Sequence, residues 1–140
     1  MTTIHPVRMA ALIANHKTFD LIDVRPREEF DRLHIPGARS IPLKEMSPAK
    51  IVRDHKLKAS EPLFVICRNR ALASLATGML RAAGCSRPVV VEGGMQTWEI
   101  MGLPAVPTRR FHFPSLRFLF PKRKAGGGFL HPGQMTHRRP

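Results

Sequence analysis

The chain has 140 residues, of which 43% are hydrophobic and 24% are charged. This is the length of one domain, since domains usually have about 100 to 150 residues, and it excludes a multidomain enzyme. The net charge of +13 is uneven, because residues 107–140 hold eight lysines or arginines and no acidic residue. The other 15 basic residues stand against ten acidic ones. We therefore place a domain boundary near Pro107, between a weakly basic body and a strongly basic tail.

Two cysteines, Cys67 and Cys85, are too few for a disulfide framework or a four-ligand zinc site, which favours a reducing compartment. Residues 1–15 lack the continuous apolar core of a secretory signal, and no apolar run reaches the roughly 18 residues of a membrane span. We therefore expect a soluble, cytoplasmic protein. A helix of about 12 residues between the two cysteines would separate them by roughly 18 Å, which is too far for a disulfide.

The first half of the body alternates helix-like and strand-like segments. A helix is expected to begin at Pro6, because proline is tolerated in a first turn. The sequence then predicts a buried strand over residues 20–24, a short helix over 27–33, an edge strand over 40–43 and a helix that begins at Ser47-Pro48.

The second half of the body continues this alternation. The apolar run 63–66 predicts a buried strand, residues 72–83 predict a helix with Gly84 as its C-cap, residues 88–91 predict another strand, and residues 95–101 predict a last helix. Strands separated by helices indicate an α/β domain with a mainly parallel sheet.

Cys67 directly follows the buried strand and precedes the longest predicted helix. In open α/β sheets, ligands bind at the carboxyl ends of strands, in front of helix N-termini that attract anions. A thiol there is expected to be shifted toward the thiolate, and Arg68 and Arg70 add positive charge. The alternative is a cysteine that only fills a buried position, as free cysteines often do. The surrounding arginines favour a chemical role.

Four short motifs occur in the order and at the spacing of a single-domain rhodanese: Leu21-Ile-Asp-Val-Arg25, His34-Ile-Pro-Gly-Ala38, Cys67 and Glu92-Gly-Gly-Met-Gln-Thr-Trp98. Over residues 4–106 the chain resembles the rhodanese-like sulfurtransferases. The resemblance implies a three-layer α/β domain around a mainly parallel five-stranded sheet. It also implies that Cys67 takes a sulfane sulfur from a small anion such as thiosulfate or from a persulfide donor. The resulting persulfide would pass the sulfur to cyanide or a thiol acceptor, with no metal or organic cofactor.

The active-site loop departs from the pattern of active relatives, which have a glycine midway and a cation at the end. The substrate-binding positions implied here are Arg68, Asn69, Arg70, Ala71 and Leu72. Arg70 stands in place of the glycine and Leu72 in place of the cation. Restoring the cation by Leu72→Arg is expected to raise thiosulfate turnover. The alternative function is a catalytically weakened binding or regulatory domain, whereas related phosphatases need an arginine at the position of Ala73.

Other motif residues are expected to support the site. Asp23 and Arg25 predict a buried ion pair that braces the active-site loop. His34 is interpreted as a structural hydrogen-bonding residue rather than a base. Gly93 and Gly94 are expected to permit a tight turn between a strand and a helix, with backbone close to the site as a further possibility.

The basic tail, residues 107–140, contains five of the eight phenylalanines and no sustained periodicity, so we predict that it is disordered. Phenylalanines among arginines could also make a weak contact with single-stranded nucleic acid or an anionic lipid surface. Such binding is expected to weaken steeply with salt.

Overall fold

A computed structural model describes residues 1–55 and 60–108. The predicted tail, apart from Pro107 and Thr108, therefore lies outside the described residues, as do its expected contacts with nucleic acid or lipid. The elements are β1 (Thr3–Ile4), α1 (Pro6–Ala14), β2 (Asp20–Asp23), α2 (Arg27–Arg32), β3 (Arg39–Ser40), a short 3-10 helix (Leu43–Glu45), α3 (Pro48–Arg53), β4 (Leu63–Ile66), α4 (Arg70–Ala82), β5 (Pro88–Val91) and α5 (Gly94–Ile100). Among the described residues, no helix is both long enough and apolar enough to cross a bilayer.

The five strands form one parallel sheet in the order β1-β5-β4-β2-β3. This confirms the α/β class and the five-stranded parallel sheet. Strand β4 is central, between β5 and β2, and Asp23 of β2 is in register with Ile66 of β4. Cys67 therefore leaves the sheet at the middle of its carboxyl edge, where ligands of such sheets commonly bind.

Both faces of the sheet are buried, which explains the continuous apolar runs of β4 and β5. Successive side chains point to opposite faces. On one face, strand residues pack with Ile51 of α3 and with Ala73, Ala76 and Leu80 of α4. On the other face, they pack with Met9 of α1 and with Met95 and Trp98 of α5. The result is the expected three-layer arrangement of helices, sheet and helices.

The backbone of His34 and the side chain of Trp98 hold the C-terminal segment of the body against this framework. His34 donates its Nδ1–H to the carbonyl oxygen of Phe30 at 2.8 Å, and its backbone pairs with Val106. The indole Nε1–H of the fully buried Trp98 donates to the carbonyl oxygen of Pro104, also at 2.8 Å. The structural reading of His34 is confirmed.

Three differences from the sequence-based prediction are larger than one residue at the end of an element. Strand β1 was missed because two residues carry no periodic signal; it forms through pairing of Thr3 with Val90 and Ile4 with Val91. The edge strand β3 is Arg39–Ser40, and the chain then turns through the 3-10 helix. Helix α4 begins at Arg70 rather than at residue 72, because Asn69 caps it.

Candidate active site

Cys67, Arg68 and Asn69 form the short connection between β4 and α4. Asn69 has an extended backbone, with φ −146° and ψ 171°, and its side-chain oxygen accepts a hydrogen bond from the backbone N–H of Leu72 at 2.9 Å. This is an N-cap, which satisfies one of the free donors in the first turn of a helix. Arg70 is the first helical residue, so its position does not need the left-handed backbone that would favour glycine. The departure from the family loop at this position is therefore compatible with the backbone.

The thiol of Cys67 is buried, with 2% of the residue exposed. Its Sγ donates a hydrogen bond to the carbonyl oxygen of Asn69 at 3.2 Å. Burial raises the pKa of the Cys67 thiol from its ordinary value of 9.0 to about 11, and the negative charge of Asp23 adds to the rise. The expectation of a shift toward thiolate is thus wrong, because desolvation of the buried thiol and the charge of Asp23 both favour its neutral form.

Asp23 and Arg25 form a buried ion pair beside this loop. The guanidinium donates from Nε to Oδ1 at 3.0 Å and from Nη2 to Oδ2 at 2.8 Å. The same Nη2 donates to the carbonyl oxygen of Leu33 at 2.7 Å, which ties the pair to the end of α2. The backbone N–H of Val24 donates to the carbonyl oxygen of Ile66, the residue before Cys67. The predicted pair is therefore formed, and it lies where a brace for the Cys67 loop would have to lie.

The turn between β5 and α5 packs against the same loop. Gly93 and Gly94 have φ values of +78° and +63°, in the left-handed region that favours glycine. A Cβ atom on Gly94 would lie 2.5 Å from the carbonyl oxygen of Cys67, and the backbone N–H of Met95 donates to that oxygen at 3.3 Å. The glycine pair thus permits the tight turn and the close backbone approach that the sequence indicated.

These elements surround a cleft of about 660 Å³. Its wall includes Cys67, Arg68, Asn69 and Arg70 from the loop and the start of α4, and Glu92 and Gln96 from the β5–α5 region. Thr3 of β1 also lines it and donates its hydroxyl to Glu92 at 2.7 Å. The sequence reasoning assigned no role to Thr3, Glu92 or Gln96. Glu92 and Gln96 belong to the recognised motif 92–98, which was the signal that could have identified them.

The two arginines of the loop are arranged differently. Arg68 forms an ion pair with Glu29 of α2, and 54% of its side chain is exposed. Arg70 is exposed, and within residues 1–55 and 60–108 it has no hydrogen-bond or ion-pair partner. Arg70 is therefore a cation on the wall of the cleft that other described side chains do not neutralise.

The structure does not bring the last two residues of the predicted substrate-binding set to the wall of this cleft. Ala71 is exposed on α4, and Leu72 is half-buried and packs against the hydrophobic cluster between the sheet and helices α3 and α4. Both lie in the first turn of α4 on sides that do not line the cleft, whereas Arg70 and Ala73 of the same helix line it. Cys85 follows the other end of α4, so the two free cysteines lie at opposite ends of that helix.

The contact between Gly94 and Cys67 can be tested with two alanine substitutions. Gly94→Ala is expected to lower the free energy of unfolding by about 1 to 2 kcal/mol for the left-handed backbone, and further for the clash with Cys67. Gly102→Ala is the matched control, since Gly102 has φ +67° and open space around its Cβ position. Urea denaturation of both variants measures the difference. Equal losses would contradict a close backbone approach at Gly94.

Leu72→Arg is expected to destabilise the protein instead of supplying a cation to the cleft. Placing a charge against the hydrophobic cluster should lower the free energy of unfolding by about 1 to 3 kcal/mol. Leu75→Arg is the control, because Leu75 lies on the same helix with 53% of its surface exposed, and a change within about 0.5 kcal/mol is expected there. A stable Leu72→Arg protein in urea denaturation would show that this side chain is free to leave the cluster.

Comparisons with known proteins agree with this architecture. Residues 6–101 match the sequence profile of the rhodanese-like domain. The chain is 33% identical over 85 residues to the uncharacterized protein YqhL of Bacillus subtilis, covering 61% of this chain and 64% of YqhL. It is 27% identical over 86 residues to the putative sulfur carrier protein YrkF of the same organism, covering 61% of this chain and 44% of YrkF. The match thus spans less than two thirds of each relative.

Among solved structures, the rhodanese-like domain of the Alr3790 protein from Anabaena superposes with a TM-score of 0.67. The two chains are 22% identical, and the superposition covers 81% of this chain and 85% of the Anabaena domain. With a sequence identity of 22%, this superposition shows that the two proteins share a fold. Because the family profile matches well over half of the residues, the chain belongs to the family of rhodanese-like domains.

Proposed function

We propose that this protein is a sulfurtransferase that carries a sulfane sulfur on Cys67. The observation that carries the proposal is the position of Cys67: a cysteine on the wall of a cleft at the carboxyl end of the central strand. Arg70, a cation without an acidic partner among the described residues, lines the same cleft. The family membership and the name of one relative, a putative sulfur carrier protein, support the same chemistry. Thiosulfate is the donor class that we propose, because it is a small dianion.

In the first half-reaction, the thiol of Cys67 loses its proton and Sγ attacks the outer sulfur of thiosulfate. A bond forms between these two sulfurs, the sulfur–sulfur bond of thiosulfate breaks, and sulfite leaves with the electron pair. The proton ends on the outer sulfur, so that Cys67–SH and S₂O₃²⁻ give Cys67–S–SH and SO₃²⁻. No external oxidant or reductant is needed.

In the second half-reaction, an acceptor thiolate attacks the outer sulfur of the persulfide. Sγ leaves as the thiolate of Cys67 and is then protonated, while the acceptor becomes a persulfide. Because the donor product leaves before the acceptor reacts, the kinetics are expected to be of the ping-pong type. Both steps use only the cysteine and groups that hold the anion, so the proposal includes no metal or organic cofactor.

The start of α4 supplies the anion-binding groups in this proposal. The side chain of Arg70 lies on the cleft wall, and the N-terminus of a helix favours negative charge. The backbone N–H groups of Arg70 and Ala71 belong to the first turn, whose donors have no acceptor within the helix. Because Arg70 lines the cleft and Ala71 does not, we assign the binding of the sulfonate-like group to the side chain and the backbone N–H of Arg70. Asp23 and Arg25 are positioning residues, and Leu72 has no direct part.

A binding or regulatory domain without turnover is the second candidate function. The raised pKa of Cys67 favours it, because little of the thiol is ionised at neutral pH in the ligand-free protein. The aliphatic Leu72, where active relatives have a cation, points the same way. The two candidate functions differ in one measurable event, the transfer of a sulfur atom to Cys67.

Incubation with thiosulfate, followed by intact-mass measurement, tests the proposed function. We expect the wild-type protein to gain the mass of one sulfur atom and to lose it when a thiol acceptor is added. Cys67→Ser is expected to gain nothing, whereas Cys85→Ser is the matched control and should load like the wild type. Absence of an adduct with thiosulfate and with persulfide donors would contradict the proposal and favour the binding domain.

The pH dependence of Cys67 reactivity tests its electrostatic environment. Since the pKa is raised to about 11, the thiolate fraction should rise about tenfold per pH unit through the neutral and mildly alkaline range. Alkylation by iodoacetamide, followed by mass spectrometry of the Cys67 peptide, should show a rate that still increases above pH 9. A plateau reached below pH 8 would contradict the raised pKa.

A further inference from the structure

A second cleft, of about 350 Å³, lies on the other side of Arg68. Its walls come from α2 and α5, and it shares Arg68 and Gln96 with the cleft of Cys67. Two ion pairs stand on its walls: Arg68 with Glu29, and Arg32 with Glu99. Arg68 thus lies between the two clefts, with its guanidinium group bound by a carboxylate on the side of the second cleft.

The pairing of Arg68 joins residues that are far apart in the chain. Glu29 lies in the first turn of α2, whereas Arg68 directly follows the cysteine. Arg70 also lines the Cys67 cleft, and unlike Arg68 it has no acidic partner among the described residues. The guanidinium group of Arg68 is therefore paired with the carboxylate of Glu29.

The pair is held weakly enough to be exchanged. The side chains of Arg68 and Glu29 are 54% and 31% exposed, so water screens their attraction and packing does not fix the arginine. Exposed ion pairs of this kind typically contribute about 0 to 1 kcal/mol to stability. A dianion beside Cys67 would offer Arg68 two negative charges, and it could accept a bidentate contact from the guanidinium.

We propose that Glu29 is a specificity-determining residue that competes with the anionic sulfur donor for Arg68. This inference rests on the proposed function only in taking the ligand of the Cys67 cleft to be an anion. A small dianion binds Arg68 by displacing Glu29, whereas a neutral donor leaves the ion pair of Arg68 and Glu29 in place. Glu29 therefore lowers the affinity of the cleft for small anions that bind Arg68, and it leaves the affinity for neutral donors unchanged.

The test measures the binding of sulfate, a dianion without a transferable sulfur, by titration calorimetry at constant ionic strength. Cys67→Ser is used as the background, so that no sulfur chemistry contributes. Glu29→Gln is expected to bind sulfate about two- to fivefold more tightly, as the release of an exposed ion pair allows. Glu29→Ala should also bind sulfate more tightly. This second variant shows that the effect does not come from the amide group of the introduced glutamine.

Glu99→Gln is the matched control. Glu99 lines the same cleft, pairs with Arg32 at 3.8 Å and has a similarly exposed side chain, at 34%. The Glu99→Gln substitution therefore removes the same unit of negative charge without releasing Arg68. We expect it to change the sulfate affinity clearly less than Glu29→Gln does. In an Arg68→Gln background, the effect of Glu29→Gln should disappear.

Equal effects of Glu29→Gln and Glu99→Gln would overturn the proposal. So would persistence of the Glu29→Gln effect without Arg68, an unchanged sulfate affinity of Glu29→Gln, or no measurable sulfate binding by any variant. These results are distinguishable from failure of the proposed function. Sulfur loading of the wild type with an unchanged sulfate affinity of Glu29→Gln would overturn the competition alone. A tighter, Arg68-dependent sulfate site in Glu29→Gln supports the competition, whether or not the wild type takes up sulfur.

Discussion

The carboxylate of Asp23 and the thiol of Cys67 are both buried at the carboxyl ends of neighbouring parallel strands. A buried carboxylate needs a partner, and Arg25 supplies it through hydrogen bonds from its side chain and its backbone. Leaving one partner of such a pair unpaired typically costs about 3 to 5 kcal/mol. The pair therefore constrains the chain between the end of β2 and the end of α2, because both its partners and its link to Leu33 must stay in place.

The same interaction opposes the chemistry of the thiol. The charge of Asp23 contributes to the raised pKa of Cys67, although burial is the larger cause. The carboxylate of Asp23 therefore has two opposite effects: its pairing with Arg25 stabilises the fold, and its charge disfavours ionisation of Cys67. In a sulfurtransferase with this arrangement, thiolate has to be favoured by other groups on the wall of the cleft, and the start of α4 is an element that lines it.

Much of this architecture could be predicted from sequence because it follows from local signals. Apolar runs identified β4 and β5, and prolines marked the first turns of α1 and α3. The ion pair of Asp23 and Arg25 was predictable from two residues at a strand end. Three features escaped because they depend on the fold: the pairing that makes β1, the burial that raises the pKa of Cys67, and the contact of Arg68 with Glu29 across 39 residues.

Relative to the family loop that the sequence resembles, the cation stands at Arg70 and not at position 72. The geometry of the helix determines the direction in which each of these two side chains points. Two residues along a helix correspond to about 200° around its axis, so side chains at positions 70 and 72 point in roughly opposite directions. Leu72 packs toward the hydrophobic cluster, and Arg70 lines the cleft. Helix α4 has no acidic residue in its first turn, and a cation there is unfavourable with the helix dipole. An anion bound beside Arg70 would reduce the repulsion between this arginine and the positive end of the helix dipole, and it would neutralise the charge of the arginine. The first turn of α4, with Leu72 in place of the usual cation, therefore still favours an anionic ligand.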